Sequence, residues 1–303
     1  MKKVMLAVMV LSAVVNGSAY ASGTNNLVGG TDNVATANSA AVFGYQNVVN
    51  ANNALAIGEN NTVNGTNSFA GGNNSKAEGR NTLAFGSHAE ALVEYTYAIG
   101  SQARTSAYDT VAIGNGAYAV GVSSVVIGRS NAVSGDNTTV IGANNQNVTA
   151  GQSLIMGYNN VTGSEQEQIV VGVNSKTSGQ GATVIGTHGQ ATGYDTTAIG
   201  NNTIADKPNS VALGTNSVTD DAVNQLQAMV NNTTYVFAGT DATSVVSVGS
   251  KQRAGFGGVI NYVRQVQNVA AGRVDASSTD AVNGSQLHAA YDAINTMGED
   301  IDK

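Results

Sequence analysis

A glycine returns through this sequence at a nearly fixed interval. Gly30, Gly44, Gly58, Gly72, Gly86, Gly100, Gly114, Gly128, Gly142, Gly157, Gly172, Gly186, Gly200 and Gly214 are spaced by 14 residues, except for two intervals of 15 ending at Gly157 and Gly172. Each closes the same phrase: a small or hydroxyl residue, a variable one, a small apolar one, a larger apolar one, then glycine. Thr110-Val111-Ala112-Ile113-Gly114 and Ser124-Val125-Val126-Ile127-Gly128 are examples. So short a period held for so long specifies a solenoid, one structural unit per repeat. The residues before the glycine favour strand, and glycine permits the positive φ of a sharp corner. A second glycine seven residues earlier (Gly65, Gly79, Gly121, Gly135, Gly179, Gly193) divides those units into two strand-plus-turn halves. The first half often carries asparagine then a small apolar residue, as in Asn47-Val48, Asn131-Ala132 and Asn147-Val148. Stacking such coils predicts two parallel sheets, and at ~4.8 Å per rung a rod of about 65–70 Å.

Alternation along the strand assigns the faces. Ala98, Ala112, Val126, Val140 and Ala198 face one way, and their larger neighbours the other. A 14-residue coil is too narrow for large side chains between its sheets, so the small residues are placed inside. Ile57, Phe85, Ile99, Ile113, Ile127, Ile141, Ile185, Ile199 and Leu213 then form an apolar stripe on the outside. A stripe of that length needs a cover. The simplest cover is another copy of the same chain, which makes these residues candidates for an oligomer interface.

Composition agrees with stacked strands and uncharged turns: 37 Gly, one Pro, no Cys, and only 11% charged residues against 42% hydrophobic. Residues 1–21 read as an export signal. Lys2 and Lys3 precede the apolar run Val4 to Val15, and Ala19-Tyr20-Ala21 has the form of a cleavage site. Cleavage there removes both lysines and takes the net charge from −7 to −9, which disfavours nucleic acid and anionic membranes as partners. No later run is long and apolar enough for a membrane helix.

Catalytic and metal chemistry finds no foothold. His88, His188 and His288 lie about 100 residues apart, without zinc-site spacing, and there is no cysteine nucleophile. No cofactor or metal is expected. Candidate ligand contacts are the irregular or aromatic places: Tyr95 and Tyr97, Tyr118 and Tyr158 at turns, and Glu165 and Glu167 in the longer coil, where a plain surface loop is the competing reading.

After Gly214 the pattern stops. Ala222, Val223, Leu226 and Met229 have helical spacing and predict a short helix over 221–230. Tyr235-Val236-Phe237 and Val245-Val246-Ser247-Val248 read as strands. A second helix is predicted from Asp280, capped by Thr279 or Asp280. Leu287, Ala290, Ile294, Met297 and Ile301 give it a heptad seam, although Gly298 weakens it.

Asn53-Ala54-Leu55-Ala56-Ile57-Gly58 and Ser210-Val211-Ala212-Leu213-Gly214 resemble the head repeat of trimeric autotransporter adhesins of the YadA type. Arg264 to Gly272 and Ser278 to Leu287 resemble the neck of that family, and Ala254-Gly255-Phe256-Gly257-Gly258 its FGG insertion. Gly71, in place of the large residue, and Tyr97, in place of an aliphatic one, depart from the repeat. The resemblance implies an all-β solenoid, a left-handed parallel β-roll head over 22–218, trimeric. A connector and neck over 219–280 and the start of a coiled-coil stalk over 281–303 would follow. It implies a homotrimeric adhesin on the outer membrane of a diderm bacterium, anchored by a segment not in this chain. Its partners would be a host matrix protein, a cell receptor, a glycan or another bacterium. The competing readings are a left-handed β-helix enzyme of acyltransferase type, whose repeat is six residues, and a solenoid that binds ice or polysaccharide through threonine ladders.

Overall fold

The computed structural model describes residues 19–255 and 258–301. Most of the export signal expected over 1–21 lies outside the described residues, as do Phe256 and Gly257 of the FGG-type motif. Tyr20–Ala21 is a short strand paired in parallel with Val34–Ala35, so cleavage after Ala21 would take one strand off the head.

The predicted solenoid is present. Each coil contributes a strand of three to five residues ending at or near its closing glycine. These fourteen longer strands form one parallel sheet, to which the two-residue strand Val246–Ser247 adds a fifteenth. Most coils also contribute a two-residue strand to the opposite side, in sheets of nine and of three. Register is one coil per rung: Ala98 pairs with Ala112, and Ile113 with Ile127. Small side chains fill the interior as expected: Ala56, Ala98, Ala112 and Val140 have no exposed surface. Ile155 is the largest apolar side chain among the fully buried residues.

The corners explain the polar composition. A non-glycine residue with φ near +55° recurs about every seven residues, as at Asn53, Asn60, Asn67, Asn74 and Asn81. Asparagine visits this left-handed region more readily than other side chains, which accounts for one set of asparagines. A second set is buried at the corner that follows the closing glycine. Asn47 and Asn61 are fully buried. The Asn61 Nδ2 donates to Ile57 O at 3.1 Å, Gly72 O at 2.9 Å and Asn47 Oδ1 at 2.9 Å, and the Asn61 backbone N–H also donates to Asn47 Oδ1. Each buried amide thus bonds its own coil and the coils above and below. The closing glycines combine positive φ with close stacking: at Gly58 (φ 123°) an added Cβ would lie 2.0 Å from Gly72 O. The second glycines have no positive φ. At Gly65 the constraint is contact alone, since a Cβ there would lie 1.7 Å from Gly79 O, while Asn67 two residues later carries the φ of that turn.

Two predictions fail after the last repeat. In place of a helix over 221–230 there is a hairpin, Gln227–Val230 antiparallel to Thr233–Val236. Asn231 and Asn232, at φ 47° and 60°, make its two-residue turn, the conformation that suits strand twist, and the β-branched second arm favours pairing. After this excursion the chain rejoins the solenoid, and Val246–Ser247 pairs with Val211 and Ala212. The FGG-type motif is flanked by the antiparallel strands Ser250–Gly255 and Gly258–Tyr262. The C-terminal helix spans Gly284–Ile301 rather than starting at Asp280. Asn283 is its N-cap: its Oδ1 accepts from the Gln286 N–H, and Gln286 Oε1 accepts from the Asn283 N–H, a reciprocal capping box.

Candidate functional surface

Three surfaces carry the features that matter for function. The first is the outer face of the long-strand sheet. Ile57, Phe85, Ile113, Ile127, Ile141, Ile185 and Leu213 are exposed there, from 36% for Ile113 to 51% for Phe85. Met156 and Val171 continue the row through the longer coils, while Ile99 and Ile199 are half-buried. Gly71 does not leave a hole in it. A Cβ there would lie 2.7 Å from Phe69 and 2.8 Å from Phe85, whose ring centroids are 6.0 Å apart, so aromatic neighbours occupy the missing side chain's place. Tyr97 heads the strand Tyr97–Ile99, in register with Leu83 and Val111, and lies on this face.

The second surface is the outer face of the short-strand sheet between residues 76 and 118. Lys76 Nζ lies 3.3 Å from Glu90 Oε1, and Arg104 Nε 3.4 Å from Glu90 Oε2. The Arg104 guanidinium sits 5.5 Å from the Tyr118 ring centroid. Nearby, Arg80 lies 5.4 Å from the Tyr95 centroid, donates to Tyr95 Oη at 2.8 Å and pairs with Glu94 at 3.3 Å. So Tyr95 and Tyr97, close in sequence, belong to different patches: Tyr95 is at a turn, and its neighbour is Arg80. Tyr118 is not at a turn but in the strand Tyr118–Ala119. The arginines were not among the sequence candidates, although the period places Arg80 one coil from Glu94 and Arg104 one coil from Tyr118.

The third surface is the pair of 15-residue coils. In the second coil the added residue is at a turn, as expected: Ser164 to Glu167 bulge outward, with Glu165 and Glu167 exposed. Buried Gln168 pins that loop, its Nε2 donating to Glu165 O at 2.8 Å and its Oε1 accepting from Thr177 Oγ1 at 2.6 Å. In the first coil the insertion is elsewhere. Asn145, not Asn147, takes the buried corner, its N–H bonded to Asn131 Oδ1. Asn147 is the extra residue, exposed at φ 57° within the segment that should be a short strand. Tyr158 ends the strand Leu154–Tyr158 and accepts a hydrogen bond from Asn144 Nδ2 at 3.1 Å.

Below the head, Arg264 closes the last coils by donating to Thr215 O, Val248 O and Ser217 Oγ. Gln286 clasps Gly272 by accepting from its N–H at 3.0 Å and donating to its carbonyl. The bidentate Arg273 holds the Asp280 carboxyl below its usual pKa. Leu287, Ile294 and Met297 are exposed along the helix; the Ile301 side chain lies outside the described residues. Among the described residues no group of three or more His, Cys, Asp or Glu is placed to hold a metal ion.

Residues 50–75, 64–89, 94–117, 119–145, 169–188 and 191–217 match the YadA head domain repeat, and residues 265–303 match the coiled stalk of trimeric autotransporter adhesin. This chain belongs to the trimeric autotransporter adhesins. The autotransporter adhesin BtaE of Brucella suis biovar 1 is 44% identical over 68 residues, which are 22% of this chain and 8% of that protein. The chain therefore spans less than a tenth of the length of that relative. The C-terminal YadA-like domain of a Burkholderia pseudomallei protein is 42% identical in a match covering 36% of this chain and 48% of that one, with a TM-score of 0.32. The collagen-binding domain of the Yersinia adhesin YadA is 23% identical, covering 72% and 86%, with a TM-score of 0.36. In this trimeric autotransporter adhesin the head-repeat matches stop at residue 145 and resume at 169, so most of both irregular coils falls outside them.

Proposed function

We propose that this chain is the head and upper stalk of a cell-surface adhesin, which attaches its bacterium to a host matrix protein, host cell or another microbe. The observation that carries the reading is the unbroken apolar row on the long-strand sheet, standing above a neck and a helix whose Leu287, Ile294 and Met297 are also uncovered. Three copies would cover both seams at once. That leaves the short-strand face outward, with Arg104–Tyr118 on it and Arg80–Tyr95 at the adjoining turns. Arginine and tyrosine are the side chains that most often dominate binding surfaces, and here each is held in place by its neighbour. Three copies on one rod give avidity, which raises attachment by ~10²–10⁴ where the geometry allows simultaneous contact.

The test compares the purified chain with Ile113→Asp. Sedimentation should give three chains for the first. The variant places a charge in each subunit's share of the interface, at a cost of several kcal/mol, and should sediment as a monomer with its β-structure kept. Beads coated with the trimer should bind at least one of collagen, fibronectin, epithelial cells and partner bacteria, and the monomer should bind weakly. A stable wild-type monomer at micromolar concentration would overturn the architecture. A trimer that attaches to nothing in the panel would overturn the adhesin reading.

A further inference from the structure

The short-strand sheet has a seam in its middle. Val148 bridges back to Val133, and Val161 bridges forward to Lys176, but no backbone-to-backbone hydrogen bond joins segment 146–149 to segment 161–163, all of them described residues, and the link between them is Thr149 Oγ1 donating to Gly163 O at 3.1 Å. The cause is the inserted Asn147, which swings its segment out of register. The neighbouring long strands are untouched: Thr139 pairs with Leu154, and Leu154 with Ile169. A cavity of about 420 Å³ opens at the seam, lined by Asn144, Gln146, Asn147, Asn159, Asn160 and Val161. That volume is within the range of small-ligand sites, ~300–1,000 Å³.

We infer that this seam binds a neutral saccharide. The inference rests on the adhesin reading and names a ligand class for it. Five of the six lining residues are amides, and none is charged. The side chains and backbone N–H groups of Gln146 and Asn147 make no hydrogen bond among the described residues. Gln146 and Asn147 each keep two donors and an acceptor oxygen for a ligand, the pattern that paired hydroxyls on a sugar ring satisfy, while the side-chain nitrogens of Asn144, Asn159 and Asn160 are already committed to Tyr158, to Asn174, and to Met156 and Gly172. Beside the cavity, Tyr158 is 45% exposed, its hydroxyl fixed by Asn144. Its ring face is suited to the C–H face of a pyranose, and exposed Val161 adds apolar surface. The six lining residues carry no charge, a cation, Lys176, stands one rung on from Val161, and the chain carries a net charge of −7, so a neutral ligand is favoured over an acidic peptide or a sialylated or sulfated glycan. The buried Thr162 hydroxyl next to Val161 has no partner among the described residues, so hydrogen bonding is incomplete in the interior as well. Every one of these features falls in or beside the span that the head-repeat matches pass over.

Deleting Asn147 restores the 14-residue coil and should close the seam. The purified trimer is offered an array of neutral oligosaccharides ending in glucose, galactose, fucose and N-acetylhexosamine, alongside sialylated and sulfated ones. Wild type should bind some of the neutral set. The deletion and Tyr158→Ala should each lower that signal by about tenfold or more, while the deletion melts no lower than wild type. If the deletion does not fold, the paired change Gln146→Ala and Asn147→Ala takes its place with the same expected loss. Attachment to cells or matrix with no neutral saccharide bound overturns the saccharide site and leaves the adhesin reading standing. Binding confined to charged glycans, or undiminished in the variants, overturns it too. No attachment to anything overturns both.

Discussion

Coils around residues 33–61 and those around 89–117 solve the same problem in opposite ways. In the first group the corner asparagines Asn33, Asn47 and Asn61 form a buried column of amides that ties rung to rung. In the second the corner is Ala89, Ala103 and Ala117, all fully buried, and there is no amide to continue the column. At Ala103 and Ala117 the turn tightens instead: their N–H groups reach back to Gly100 O and Gly114 O at 3.3 and 3.4 Å, and the long strands before them shorten to Tyr97–Ile99 and Val111–Ile113. Polar stacking there moves to the outside, through Lys76, Glu90, Arg104 and Tyr118. An inside column works away from water and makes stability. An outside column, half wet, contributes little stability and is free to meet a partner.

The largest effect should come from breaking the inner column. Asn47→Ala removes donors to Phe43 O and Gly58 O and the acceptor for Asn61. Unpartnered buried groups cost ~1–3 kcal/mol each, so a loss on the order of 3 kcal/mol per chain is expected in denaturant melts. A change below about 1 kcal/mol would show that water replaces the amide at no cost.

Building an amide into the second group sharpens the contrast. Ala103→Asn should give the Ala117 N–H, now 3.4 Å from Gly114 O, a better acceptor. A gain of up to ~1 kcal/mol is expected. A large loss would mean that the tighter alanine turn has no room for the side chain.

The outer column should matter less to folding. Glu90→Gln keeps the shape and removes both ion pairs, which should cost under ~1 kcal/mol. Attachment of the trimer should fall more than its melting temperature does.

Acid provides the mildest probe. Asp280 has its pKa lowered by Arg273, so its charged form is favoured by the fold. The contribution of that pair is complete above the ordinary carboxylate range and is lost as pH falls through the lowered value. Helix signal from the neck and stalk should soften there, while sheet signal from the uncharged columns stays constant.

Much of this was readable in the sequence. A 14-residue period with alternation before each glycine determines which side chain of Ala112-Ile113 goes in and which goes out. The two roles of asparagine were not readable, because left-handed corners such as Asn60 and buried corners such as Asn61 stand side by side. For the same reason Asn147-Val148 looked like another Asn47-Val48, when Asn145 holds the corner and Asn147 is surplus. The 227–236 hairpin had a signal, the pair Asn231-Asn232 before Thr233-Thr234, but apolar spacing over 222–229 masked it. The helix start was encoded in Asn283 and Gln286 rather than in the acidic Asp280.

The unbroken long-strand sheet has a mechanical meaning. Its strands run across the rod, so the hydrogen bonds between rungs lie along the axis. Tension from the stalk loads them one rung at a time, as a zipper does, rather than all together in shear. The first rung under load is Val246–Ser247, held to Val211 and Ala212 and secured by Arg264. Each coil that peels frees 14 residues, or about 45 Å of chain beyond its own thickness. A single-molecule pull on the stalk should therefore show a train of small, even steps, and an attached bacterium would be cushioned against sudden drag by lengthening at nearly constant force.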